Sequence, residues 1–555
     1  MKNMLSQYYL SIREKILLVG IMIFISLIIS WAIYTAQSEI VINDKLQLLL
    51  RRYIYKQDNK EKINENNIIS NNNTVIIKWD NTIDKLSTGS QISITIDSQK
   101  SLPTNKNILW FSTAFSFTLN EAEKKEKTKK LSKDLSPMVL RFPWGTLGNY
   151  YHPEGKWYWL KKSEFNIAIL KKEYEQQLKL STNALDDYIA FSKEIGNKTL
   201  YVANILTGEP EEVLYALKKL QDAWIEIAWV ELWNELYFGE YRSRIPDVKT
   251  YIRLAKKFAT TIKNSYPDVK LGVIAPKYQG EAWGTPRPGS FNNTWNEELS
   301  KENFYDAYIV HDYLDDTTCK ANMNKLTIDK NFECGDNLIT EFNNIYINNL
   351  FKYLKGYYDD KEIWFTERNI KTPSNMIGST FLHASYITET LMNLNKSDYN
   401  IWISTYHNFL AENFWYATIN ISKWDSTTTA WYYAHKFISS IINDWWSNIW
   451  YTISSQNELV GTWIKIQVFY DDEKKKTYIR YLNKTKETIK IDNIEWVEYT
   501  TKKNSYMQWN YLYSSIGNAP ITRLYPSKKD EIQMNDWEEF DWYIKPISIG
   551  VIELE

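Results

Sequence analysis

The chain is poor in glycine, with 18 in 555 residues, where ordinary usage of about 7% would supply roughly 39. It is poorer still in cysteine. Cys319 and Cys334 are the only two, and structural zinc needs more ligands than these. Both fall in one expected loop, where a disulfide fits an oxidising compartment and two free thiols are the alternative. Net charge is almost absent: 66 basic and 67 acidic residues leave −1. That removes the electrostatic argument for nucleic acid or any other charged polymer. Arginine is scarce beside lysine, while asparagine and isoleucine abound, which reads as a low-GC genome and not as a partner signal. There is no repeat of the solenoid type.

What the chain does have is aromatic and apolar strand material. Aromatic residues make up 15%, suited to sugar-stacking faces or to a plain core. Residues 225–237 read IEIAWVELWNELY, where an apolar run (Ile225, Ile227, Val230, Leu232) stops at Asn234 and Glu235. Residues 362–369 read EIWFTERN, where Ile363, Trp364 and Phe365 run into Thr366 and Glu367. A buried parallel strand delivers a carboxylate to its carboxyl end in this way. Two such carboxylates suit acetal cleavage: one protonates the leaving oxygen and the other meets the developing oxocarbenium ion.

Short apolar strands alternate with helices between these points. Strands are expected at 108–114, 138–142, 199–205, 270–274, 307–311 and 401–406 besides the two already named. Helical spacing marks 183–195, 211–220, 250–266 and 338–354. Such alternation is what a parallel barrel requires. The fold class expected is therefore α/β, a (β/α)8 TIM barrel over 105–445. From about 446 the pattern changes to strands with polar turns, read as an appended C-terminal β-sandwich over 446–555. Alternation at 74–104 reads as a few further strands.

The stretch 16–36 opens with an uncharged apolar run long enough to span a bilayer as a transmembrane helix. Lys2, Arg13 and Lys15 precede it, so 1–15 is placed in the cytoplasm and the rest outside it. Residues 37–73 form a polar stalk. Secretion after signal cleavage is the alternative, disfavoured by the length of the run and by bulky Tyr34 at the −3 position of the best cleavage site.

Four local motifs resemble the clan of retaining glycoside hydrolases built on a (β/α)8 barrel: RFPWGTLGNYY at 141–151, VELWNELY at 230–237, HDY at 311–313 and WFTERN at 364–369. Within it, heparanase/β-glucuronidase-like enzymes come nearest, followed by arabinofuranosidases and β-xylosidases. The resemblance implies Glu235 as general acid/base, Glu367 as nucleophile and Asn234 as partner of the sugar 2-hydroxyl. Arg141 is implied to tie the nucleophile, and Thr146, Asn149, Asn204, His311, Tyr313 and His407 to line the substrate site. The strands at 74–104 are implied to join the sandwich. No metal or organic cofactor is implied. The partners would be an oligo- or polysaccharide and, through the helix, a membrane. A non-catalytic carbohydrate-binding protein and an envelope structural protein are the rival readings on the same barrel.

Against the family pattern, Trp144 and Trp233 stand where the resembling enzymes have glycine, and Trp157, Trp159 and Trp431 look similar. With 24 tryptophans against 18 glycines, a gene that reads UGA as glycine would explain both counts.

Overall fold

The computed structural model describes residues 68–71, 74–77, 90–103, 110–113, 117, 124–137, 139–143, 145–154, 183–238, 241–277, 292–315, 319, 328–371, 381–396, 401–411, 417–421, 426–442, 449–454, 460, 463–471, 475–495, 502–509 and 532–554. The chain divides into two compact units, Met1–Lys85 and Leu86–Glu555. In the first, β1 (Ile68–Asn71) pairs antiparallel with β2 (Thr74–Ile77). This corrects the expectation that the strand at 74 joins the sandwich: its partner is the strand that precedes it in sequence. The expected membrane span at 16–36 lies outside the described residues. Among the described residues, no helix is long and apolar enough to cross a membrane.

The second unit opens with β3 (Gln91–Pro103) and then builds the barrel. Its strands are β4 (Trp110–Ser112), β5 (Val139–Phe142), β6 (Lys198–Val202), β7 (Ile227–Glu231), β8 (Lys270–Ile274), β9 (Ala307–Leu314), β10 (Glu362–Ile370) and β11 (Ile401–His407). All pair in parallel, and β11 returns to β4 to close the ring. Covered on both faces, these strands bury nearly every residue, which explains their unbroken apolar runs. Large rings fill the interior. Trp229 lies 4.6 Å from Trp110 and 6.3 Å from Trp364 between ring centroids. Opposite Trp364 sits Gly272, where a Cβ would come within 2.5 Å of the indole; no side chain fits there.

Helices cover the outside. Among them, α1 (Ala184–Ile195) is capped by the Asn183 side chain and ends at Gly196 with φ 82°. Next, α2 (Pro210–Asp222) starts with proline and a Glu209/Glu212 capping box, satisfying amide groups that have no partner within the helix. On α3 (Val248–Ser265), Tyr251, Ile252, Ala255, Phe258 and Ile262 are buried at helical spacing, and burying each larger side chain is worth about 1.5–3 kcal/mol. The helix expected at 338–354 is interrupted. Between α4 (Ile328–Glu341) and α5 (Ile347–Lys355) the chain makes a π-turn over Phe342–Tyr346. Cys319 and Cys334 are bonded, with Cα atoms 5.8 Å apart. The last barrel helices are α6 (Phe381–Lys396) and α7 (Ala430–Ile442). Beside them lies a small sheet of β12 (Leu410–Ala411), β13 (Ile419–Ile421) and β14 (Ser426–Thr428).

The C-terminal strands are β15 (Ile449–Ser454), β16 (Ile464–Asp471), β17 (Lys476–Asn483), β18 (Ile489–Glu495), β19 (Lys502–Trp509), β20 (Ile532–Glu539), β21 (Tyr543–Ile544) and β22 (Ser548–Leu554). They form one nine-stranded sheet that includes β3, which lies between β15 and β18. Ile92, Ile491 and Ile544 share a core with Val468, Ile479 and Ile552 from the other end of the sheet, so the sheet curls over itself. It is pinned to the barrel by Lys484. This fully buried ammonium donates to Asp336 at 2.7 Å on α4 and to Glu389 at 3.0 Å on α6.

Candidate active site

The carboxyl ends of the barrel strands converge on one pair of carboxylates. A bulge in β10 brings Glu367 into the mouth: Phe365 pairs with Val310, but Glu367, not Thr366, pairs with His311. An extra residue of this kind re-aims the side chain that follows it. Glu235 arrives differently. After β7 the chain turns sharply, with Trp233 at φ 100° and Glu235 at φ 47°. Asn149 holds this turn by its neighbour's backbone: its amide donates to Asn234 O at 3.0 Å and accepts from Asn234 N at 3.3 Å. A non-glycine residue held at positive φ, as Glu235 is here, recurs at functional sites, where surrounding structure maintains the strain.

Arg141, fully buried at the end of β5, organises the floor. Its Nη1 donates to Glu367 at 2.8 Å, its Nη2 to Asn234 Oδ1 at 3.0 Å, and its Nε to Glu231 at 2.9 Å. Tyr313 donates its hydroxyl to the other oxygen of Glu367 at 2.7 Å. His311 stands between the two carboxylates, Nδ1 lying 3.3 Å from Glu235 and 3.7 Å from Glu367, while Nε2 meets the Thr366 hydroxyl at 3.1 Å. One side-chain atom from each of Glu235, His311 and Glu367 lies within 4.8 Å of the others. His407, from the end of β11, sits 6.2 Å from Tyr313 between ring centroids.

Burial pushes the Glu367 carboxyl up. The charges of His311, His407 and Arg141 and the Tyr313 hydroxyl outweigh it and hold Glu367 well below the usual carboxylate range. Burial likewise opposes a protonated His311, but Glu367 and Glu235 raise it above its ordinary value. Burial lowers His407, with Glu367 pulling the other way. The site thus offers an ionised, immobilised carboxylate beside a second carboxyl that is 19% exposed. The Glu235–His311–Glu367 cluster has the donor types a divalent ion takes. Arg141 already sets a cation against Glu367, however, and would repel a second one.

Other expected contacts fall elsewhere. Asn204 ties two loops together, donating to Tyr151 O at 3.1 Å in the loop after β5 and accepting from Thr207 N at 3.0 Å in its own turn. Asn149 acts on the Asn234 backbone. Thr146 lies on the turn beside Gly145, whose Cβ position is 3.8 Å from Glu367; its carbonyl accepts from Asn149 N at 3.3 Å. Trp144, Trp157 and Trp159 lie outside the described residues. Sequence reasoning overlooked Glu231 and Thr366. Glu231 carried a signal, being a carboxylate inside an apolar strand, which needs a buried cation.

No protein-family model and no curated protein matches the chain. Solved structures do match. The thermostable GH51 α-L-arabinofuranosidase from Thermotoga petrophila RKU-1 superimposes with a TM-score of 0.57 at 16% identity, over 84% of this chain and 100% of that one. The fold shared with that enzyme is the closed eight-stranded parallel barrel. A family 51 α-L-arabinofuranosidase from Bifidobacterium longum gives 0.62 at 12% identity, over 84% and 100%. A family 44 xyloglucanase from Paenibacillus polymyxa gives 0.52 at 10% identity, over 84% and 99%.

Proposed function

We propose that this protein is a retaining glycoside hydrolase. The observation that carries the reading is the spacing of two carboxylates at the mouth of a glycosidase-type barrel, with Glu235 and Glu367 oxygens within 4.8 Å. Retaining enzymes keep their carboxyls about 5–5.5 Å apart, whereas inverting ones open to about 6.5–9.5 Å to admit a water. Glu367, kept ionised by Arg141 and Tyr313, attacks the anomeric carbon as the glycosidic bond breaks. Glu235 gives its proton to the departing oxygen. The glycosyl–Glu367 ester is then attacked by water, whose proton returns to Glu235 as the sugar leaves and Glu367 regains its charge. Asn234, held by Arg141 through Oδ1, presents its remaining amide donors to the sugar 2-hydroxyl.

The substrate is an oligo- or polysaccharide outside the cytoplasm, reached by an enzyme anchored through residues 16–36. The motif resemblance favours heparanase-like chemistry on uronic acid glycans, while the structural neighbours include arabinofuranosidases and glucanases. A panel of aryl β-glucuronides, β-xylosides, β-glucosides and α-arabinofuranosides separates these. With the preferred sugar, a 2-fluoro glycosyl fluoride should label Glu367, and nuclear magnetic resonance should show the anomeric configuration kept in the first product. Glycan binding without turnover or labelling in the folded protein would replace the enzyme by a carbohydrate-binding protein. A product of inverted configuration would overturn the retaining assignment.

A further inference from the structure

Seven non-glycine residues among those described hold positive φ, and three of them are tryptophan: Trp224 at 62°, Trp233 at 100° and Trp542 at 69°. A bulky side chain in this region is a true outlier. Tryptophan supplies only 24 of 555 residues, so its share of these positions is far beyond its share of the chain.

Each position has its own reason to want no side chain. At the end of α2, Trp224 N donates to Gln221 O at 2.9 Å and Ile225 N to Leu220 O at 3.0 Å. Those two bonds define the Schellman ending of a helix, whose left-handed residue is usually glycine. Gly196 fills the left-handed position after α1 with φ 82°. The indole of Trp224 is 95% exposed, so nothing in the fold compensates for its conformation. Trp233 is the opposite case. It is fully buried between Tyr241 and Tyr251, and its indole N–H finds no acceptor among the described residues. It stands one residue before Asn234, in the turn that aims Glu235. Trp542 links β20 to β21; its indole packs on the sheet core beside Phe540, so the reason here lies in the backbone alone, fixed at this φ by its carbonyl, which accepts from Ile491 N at 2.9 Å.

We propose that residues 224, 233 and 542 are glycine in the natural protein, encoded by UGA in a gene whose host reads that codon as glycine. The inference rests on backbone geometry and is independent of the enzymatic reading. Tryptophans on regular strands, such as Trp110, Trp229 and Trp364, show no such backbone conflict and serve as controls.

Two measurements decide it. Sequencing the gene should find UGA at 224, 233 and 542 and UGG at 110, 229 and 364. Peptide mass spectrometry of the protein from its native cells should find glycine at the first three positions. UGG at 233, or a peptide carrying tryptophan there, overturns the proposal. Neither readout depends on whether the chain as written folds in a standard host. In that host, Trp224→Gly should raise the melting temperature, and a fall would refute the geometric argument at that site.

Discussion

Removing the Tyr313 hydroxyl tests how the fold keeps Glu367 ionised. Tyr313→Phe is nearly isosteric and deletes one contact, the 2.7 Å bond to Glu367 Oε2. A hydrogen bond to a charged group contributes about 1.5–3 kcal/mol, and one pKa unit corresponds to about 1.4 kcal/mol. The Glu367 carboxyl should therefore rise by about 1–2 units. Arg141 still contacts its other oxygen at 2.8 Å, so the carboxyl stays ionised near neutral pH. The sign follows from the proposed mechanism: there only the Glu367 carboxylate attacks, so activity is lost as pH falls through its pKa. Raising that pKa moves the acidic limb of kcat/KM upward by the same 1–2 units. The rate itself is a poorer readout, because a less stabilised carboxylate is also a better nucleophile. The assay is the pH dependence of labelling by a fluoro-sugar, with circular dichroism to verify the fold. An acidic limb that stays put or moves down in a folded variant would refute this account of Glu367.

Glu231→Gln should lower unfolding free energy by about 1.5–3 kcal/mol, because Arg141 loses one of its two buried carboxylate partners and keeps Glu367; urea unfolding measures it, and an unchanged value would make the pair dispensable. Replacing both Cys319 and Cys334 by serine should cost about 3 kcal/mol for a separation of 15 residues, read in the same way. Lys484→Ala should destabilise the fold by about 3–5 kcal/mol at neutral pH by leaving Asp336 and Glu389 buried together. Burial already raises Asp336, so it takes up a proton as pH falls and the deficit should shrink in acid; a deficit that grows would reverse the assignment.

The barrel was legible because parallel strands, buried on both faces, leave unbroken apolar runs that end abruptly at polar residues. Glu235 and Glu367 both announce themselves in that way. Asn204 follows its strand just as abruptly, and composition does not show that its amide bridges two loops. Glu231 shows the reverse: it sits within the strand, where the pattern is read for apolar residues and a lone acid is passed over. The bulge at Thr366 and the π-turn at Phe342–Tyr346 depend on how neighbours pack, to which local periodicity is blind. Alternation marks both β2 and β3 as strands, and only the family resemblance placed them with the sheet; β3 pairs there, whereas β2 pairs with β1.

Strand β3 has a consequence in time. It is made before the barrel, while its neighbours β15 and β18 follow about 350 residues later. At a synthesis rate of about 5–20 residues per second, β3 waits roughly 20–70 s for a partner. Throughout that interval Ile92 and Ile94, which end in the core of the sheet, travel with both edges of their strand unpaired. An unpaired, alternating strand invites pairing with other chains. The nascent protein is thus most vulnerable to aggregation while its barrel is being assembled, and a chaperone that shields the first hundred or so residues would serve it better than one that acts on the finished chain.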